Sequence, residues 1–332
     1  MSEVISEYDA ALFDLDGVVY LGPQAVPGAA EGIAALRERA VPVCFVTNNA
    51  ARAPEAVVDQ LVGLGIPCTV AEVITAGQAG VRMLSQELPA GSTVLVCGSD
   101  ALADQVAAAG FTVATSAEDA PDAVIQGYEP DLSWSVLTET ALAVQRGARW
   151  FATNADPTRP TDRGLEPGAG AQIAVVRMVV GGDPQTAGKP EKPLMEAAAA
   201  RLGAGRPIFV GDRLDTDIAG GRNADMDTML VFSGTHRAAD LFAADPAHRP
   251  THIGRDLRDL LAPAATVTSD GDGARCGEAH VRLVDDAVTI VAAGDPLDLV
   301  RATARLVWSV RDAGRAVDPS AVEEAVAAEL GR

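Results

Sequence analysis

Asp14 and Asp16 stand two residues apart in Asp14-Leu15-Asp16-Gly17, where the apolar run 9–14 ends. Two carboxylates at that spacing can divide labour, one as nucleophile or metal ligand, the other as general acid and base. Ligands of open α/β sheets collect beyond the carboxyl ends of strands, and Gly17 lets the backbone turn there. A solvated strand-end turn or a helix cap accounts for the same four residues equally well.

Three further stretches carry comparable chemistry. Thr47-Asn48-Asn49 closes the run 41–47 and offers a hydroxyl and consecutive N–H groups, neutral donors suited to phosphate oxygens. Taken alone it is also an ordinary N-cap. Lys189, in Gly188-Lys189-Pro190, is one of only two lysines, with Lys192, among the 26 Lys+Arg of the chain. A carboxylate attacking a phosphate dianion meets repulsion of about 4 kcal/mol per pair of unit charges at ~4 Å and an effective dielectric near 20. In a chain of net charge −20 the cancelling cation has to be local, and Lys189 before a helix start can supply it; a plain surface lysine is the alternative. The fourth stretch, Gly211-Asp212-Arg213-Leu214-Asp215-Thr216-Asp217, follows the apolar run 207–210. Acids so crowded repel one another unless a divalent cation sits among them, and an all-oxygen set suits Mg²⁺. Asp215 or Thr216 also fits as a helix cap, so Asp212, nearest the strand, is the better ligand candidate.

The elements that must position these residues alternate in type. Apolar runs at 9–14, 41–47, 207–211 and 228–232 read as buried strands, with helical periodicity over 28–39, 54–64 and 216–223 between them. Such alternation predicts a parallel sheet joined by right-handed crossovers. A second α/β block lies inside it, with strands at 93–97, 123–127 and 149–153 and helices at 100–109, 134–146 and 169–180. The segment 264–275 reads as a polar, glycine-containing connector. Beyond it come a hairpin turning at Asp285-Asp286 and helices over 296–312 and 319–330, the last opened by Asp318 and Pro319. At about 55 residues this extension is small for independent stability, so it is expected to pack on the rest of the chain or on a second subunit, as in a homodimer.

Composition narrows the partners. The 332 residues suffice for about two domains, and 48% hydrophobic against 22% charged residues is a globular balance. The acidic excess, 46 Asp+Glu to 26 Lys+Arg, disfavours a nucleic-acid partner. No long apolar run suggests a membrane span or secretion signal, and Cys44, Cys68, Cys97 and Cys276 are scattered, which points to a reduced, cytoplasmic protein. His236, His248 and His252 lack metal-ligand spacing and read as surface or supporting groups, and Trp134, Trp150 and Trp308 read as core.

Taken together and in this order, the DxDGV, TNN, GKP and GDxxxTD motifs resemble the haloacid dehalogenase (HAD) superfamily of phosphohydrolases, in its nitrophenylphosphatase-like branch. The resemblance covers about residues 8–262 and implies a Rossmann-like parallel-sheet core (1–76 and 189–263) with an inserted α/β cap (77–188); 276–332 forms a small α+β extension. That extension is similar to the one in actinobacterial glycerol 3-phosphate phosphatases. The resemblance implies Asp14 as nucleophile and Asp16 as general acid and base, with Thr47, the Asn48 amide and Lys189 on the phosphoryl oxygens. It further implies Mg²⁺ held by the Asp14 side chain, the Asp16 carbonyl and Asp212, with Asp217 behind. The segment Phe151–Asp156 is similar to the cap segment that faces substrate, where Asn154 and Asp156 could bond substrate hydroxyls or simply form an Asx turn. The implied activity is a Mg²⁺-dependent phosphomonoesterase acting on a small phosphorylated metabolite. Glycerol 3-phosphate is the favoured substrate; pyridoxal 5′-phosphate, phosphoglycolate or a nucleotide, or a non-catalytic metabolite-binding regulator, are the alternatives.

Overall fold

A strand whose every residue is buried must be covered on both faces, which is the condition of a parallel sheet flanked by helices. Ala10–Asp14 and Pro207–Gly211 are buried throughout. In the computed structural model, which describes residues 2–161 and 163–330, these two strands pair in parallel. The chain forms two compact units, Met1–Val43 with Ala204–Arg332, and Cys44–Gly203.

In the first unit Pro207–Gly211 also pairs in parallel with Asp227–Val231, and that strand with His252–Gly254. The helix Ala29–Glu38 buries Ala29, Gly32, Ile33 and Leu36, the face its sequence period marks out. The extension adds a four-stranded antiparallel sheet, Val267–Ser269, Gly273–Cys276, Ala279–Val284 and Ala287–Ala292, and the helices Pro296–Asp312 and Ser320–Leu330. Its first two strands fall in the segment expected to be a loose connector. Val267, Thr268 and Ser269 pair with Cys276, Arg275 and Ala274 across a turn in which Gly271 takes φ +90°. Polar composition concealed a short edge strand there. The hairpin at Asp285-Asp286 is as expected, with both residues at positive φ. Leu241 and Phe242 share one apolar cluster with Leu297, Val300, Val307, Val322 and Val326, so the extension packs on its own chain.

The second unit holds a five-stranded parallel sheet in the order Gln185–Thr186, Arg149–Ala152, Ala123–Gln126, Thr93–Cys97 and Thr112–Ala114. Val43–Thr47 and Val73–Thr75 pair in parallel beside the helices Pro54–Gly63, Ala76–Glu87 and Lys192–Leu202. The compact unit therefore extends past the expected 77–188 block at both ends; Arg201 Nη1 donates to Val73 O at 2.7 Å and links these outer segments. A hairpin, Thr158–Thr161 with Gly164–Pro167, has no counterpart in the expected elements. Trp134 departs from the expectation of a core role: it opens the helix Trp134–Gln145 and is 72% exposed, whereas Trp150 is buried. All four cysteines are free thiols, and among the described residues no helix is long and apolar enough to cross a membrane.

Candidate active site

Parallel pairing of Ala10–Asp14 with Pro207–Gly211 sets Phe13 opposite Val210, so the carboxyl ends of both strands lie side by side. Asp14 and Asp212 emerge there. Asp217 returns to the same point from a π-type helical turn, Leu214–Ile218. All three are buried, and each places a carboxylate oxygen within 4.8 Å of the other two. At that spacing each pair of charges repels by roughly 3.5 kcal/mol at an effective dielectric of ~20. The fold offsets part of this with backbone donors. Asp212 Oδ2 accepts from Thr235 N at 2.5 Å, and Asp217 Oδ2 from the amides of Asp212 and Arg213, each at 3.1 Å. A buried, all-oxygen donor set of this kind fits a hard divalent cation. Asp16 is exposed, and its carboxylate is not one of the three.

Three glycines make the cluster possible, and a Cβ on one of them, Gly211, would collide with the Asp217 side chain. Gly17 sits at φ +92°, and a Cβ on it would approach Asp212 Oδ2 to 2.5 Å; a Cβ on Gly234 would collide with the same oxygen. Ser233, Gly234 and Thr235 are the part of this site that sequence reasoning missed, whereas His236 has the supporting role the sequence allows it. Ser233 Oγ donates to Gly17 O at 2.7 Å, and His236 Nδ1 accepts from Leu214 N at 2.7 Å, anchoring the turn that carries Asp217. The signal available was the run of small residues Ser233-Gly234-Thr235, one position beyond the strand Asp227–Val231.

The other sequence-marked residues gather in the second unit, around Asn48. Its Oδ1 accepts from Lys189 N at 2.8 Å and its Nδ2 donates to Lys189 O at 3.1 Å. The Asn48 side chain thus holds the lysine backbone on both sides. The same Nδ2 lies 3.2 and 3.1 Å from the two oxygens of Asp156, and Asn154 Nδ2 donates to Asn48 O at 2.8 Å. Asp156 N donates to Asn154 Oδ1 at 3.1 Å, the Asx turn weighed from the sequence. Lys189 and Asn154 are buried, as is Thr47, whose Oγ1 accepts from Asn49 N at 3.1 Å. A cation on buried, doubly braced backbone has its charge fixed in position, which is what neutralising an incoming anion requires. The peptide Lys189–Pro190 is cis.

The structure brings the predicted residues together as two groups, Asp14, Asp212 and Asp217 in one unit, and Asn48, Asn154, Asp156 and Lys189 in the other. Residues 11–112 match the model of a haloacid dehalogenase-like hydrolase family, and residues 186–260 match a second, HAD-hydrolase-like model. The D-glycerol 3-phosphate phosphatase of Mycobacterium tuberculosis is 40% identical over 97% of this chain and 92% of its own length. A 5′-nucleotidase of Bacillus subtilis is 36% identical over 76% of this chain and 98% of its own. The crystal structure of the M. tuberculosis glycerol phosphate phosphatase in complex with magnesium superposes with a TM-score of 0.88 at 38% identity, covering 99% of both chains.

Proposed function

The chain belongs to the haloacid dehalogenase-like hydrolases, and from that membership we propose that it is a Mg²⁺-dependent phosphomonoesterase whose favoured substrate is glycerol 3-phosphate. The observation that carries the reading is the buried cluster of Asp14, Asp212 and Asp217 at adjoining strand ends, whose mutual repulsion a divalent cation would relieve. In this reading the chain divides into a core (1–76, 189–263), a cap (77–188) and an extension (276–332). The Asp14 side chain, the Asp16 carbonyl, Asp212 and Asp217 would hold Mg²⁺. When bound, that ion screens the anionic cluster and draws charge from phosphoryl oxygens.

The chemistry then follows from the residues. An Asp14 carboxylate oxygen attacks phosphorus in line, the P–O bond to the alcohol breaks, and an aspartyl-phosphate forms. Asp16, exposed beside it, gives its proton to the leaving alkoxide. The resulting Asp16 carboxylate takes a proton from water, whose oxygen attacks the phosphoryl group and releases phosphate and the Asp14 carboxylate. Thr47, the Asn48 amide and the Lys189 ammonium hold the phosphoryl oxygens, while Asn154 and Asp156 of the cap, which brace Asn48, bond the substrate hydroxyls. The partner is a small phosphorylated metabolite in the cytoplasm. A homodimer is tested by its mass in solution.

Asp14→Asn is expected to abolish phosphate release from glycerol 3-phosphate under Mg²⁺ while leaving the circular dichroism spectrum unchanged; undiminished turnover removes the nucleophile assignment. Comparing kcat/KM for glycerol 3-phosphate with that for pyridoxal 5′-phosphate, phosphoglycolate and nucleoside monophosphates ranks the substrates. A folded wild-type protein that releases phosphate from none of them would instead be the metabolite-binding regulator.

A further inference from the structure

A cavity of about 430 Å³ lies away from the carboxylate cluster, within the first unit, where the extension meets the edge of the parallel sheet. Met229, Thr251 and the edge-strand residues His252 and Ile253 form one wall, and Val267, Arg301, Arg305 and Trp308 of the extension form the other. The volume falls in the range of small-molecule sites, and the wall combines apolar and polar surface in comparable measure. Both family models end by residue 260, so every extension residue of this wall lies outside them.

The polar groups of the wall are nearly all engaged. The Arg301 guanidinium donates to Ile253 O at 2.6 and 3.0 Å and to Asp298 Oδ1 at 2.9 Å, so its charge is matched. His252 Nε2 lies 2.9 Å from Tyr8 Oη, and burial holds the imidazole below its ordinary pKa, in the neutral form. Thr251 Oγ1 donates to Asp227 Oδ1 at 3.1 Å, and Trp308 Nε1 to Leu241 O at 3.0 Å. The indole therefore presents only ring carbon to the cavity. Arg305 differs: it is exposed, and among the described residues no carboxylate or carbonyl partners it.

We propose that this cavity is a second ligand site, for a small amphipathic organic anion whose single anionic head meets Arg305 and whose apolar body lies against Met229, Ile253, Val267 and Trp308. One unmatched cation in an otherwise satisfied wall selects a single negative charge. A dianion would leave half its charge desolvated, and a cation would face two guanidinium groups. The site stands on the sheet edge and the extension, independently of the phosphatase reading.

Anilinonaphthalene sulfonate, an amphipathic anion that fluoresces when shielded from water, tests this on the full chain. Saturable binding is expected. It should weaken roughly 10- to 100-fold in Arg305→Glu, the size of a lost charge-assisted hydrogen bond, and stay near wild type in Arg305→Lys. Ala265→Trp, at an exposed wall position, should block it by filling the space. Octanoate should displace the dye, whereas octylamine and inorganic phosphate should not. Equal binding in Arg305→Glu and wild type, or displacement by octylamine or by phosphate as strong as by octanoate, overturns the proposal. Melting curves of the variants, run alongside, separate a lost site from a lost fold.

Discussion

Asp217 shows how a single residue can cost stability and serve a site. Its side chain is fully buried, it caps the amides of Asp212 and Arg213, and it adds a third negative charge within 4.8 Å of two others. Asp217→Asn keeps one acceptor for those amides and removes the charge. In EDTA its melting temperature is expected to rise above wild type, while the upward shift on adding Mg²⁺ shrinks, with metal affinity reduced about 10- to 100-fold. A larger Mg²⁺ shift in the variant would contradict this. Asn48 works in the opposite sense. Asn48→Ala strips partners from the Lys189 N–H and C=O, at a cost of ~1–3 kcal/mol for each group left buried and unsatisfied. Urea denaturation should show that loss, and KM should rise more than kcat falls, because Lys189 remains present but poorly held. Asp14, Asp212 and Lys189 could be singled out in the sequence because each follows a strand or precedes a helix. Asn48, Asn154 and Asp156 could be singled out as well, but not the bonds among them, since Asn48 and Asp156 are 108 residues apart and only folding joins them.

Strands of continuous apolar residues were the most legible elements: 207–211, 93–97 and the hairpin at Asp285-Asp286 lie where periodicity and turn chemistry put them. Elements with weak apolar signals were not. Val267–Ser269 exposes two of its three residues, and Gly164–Pro167 is exposed or half-buried throughout, so neither offers the alternation that marks a strand. The loop after Asp227–Val231 hid for a different reason: its importance is space, which composition does not report. Gly234 lies against the Asp212 carboxylate with no room for a Cβ. Gly234→Ala should push Asp212 off its contact with Thr235 N, and the expected result is a folded protein with little Mg²⁺-dependent phosphate release and little Mg²⁺-dependent rise in melting temperature. Wild-type values for both would show that the loop yields.

Across the whole molecule, buried and paired titratable groups set a stability plateau bounded on both sides. Burial holds His252 below its usual pKa, so the unfolded chain takes up a proton that the folded one refuses, and stability falls as pH drops below about 6.5. The carboxyls of Asp312, bonded to Arg249, and Glu3, bonded to Arg39, are lowered by those partners. Their contribution is present above the ordinary carboxylate range and is lost as pH falls below it. On the alkaline side burial raises the thiols of Cys44 and Cys276 to about 12 and that of Cys97 to about 11, from 9.0. The unfolded chain then loses protons that the folded chain keeps, so stability declines as pH rises past 9. Melting temperature against pH should therefore be flat between about 7 and 8.5 and fall on either side. His252→Gln should postpone the acid-side fall to the carboxylate range. Cys44→Ala, which removes one thiol from a fully buried strand position, should lower the plateau yet shallow the alkaline slope. A His252→Gln profile superimposable on wild type between pH 5 and 7 would mean that the folded protein accepts that proton as readily as the unfolded chain does.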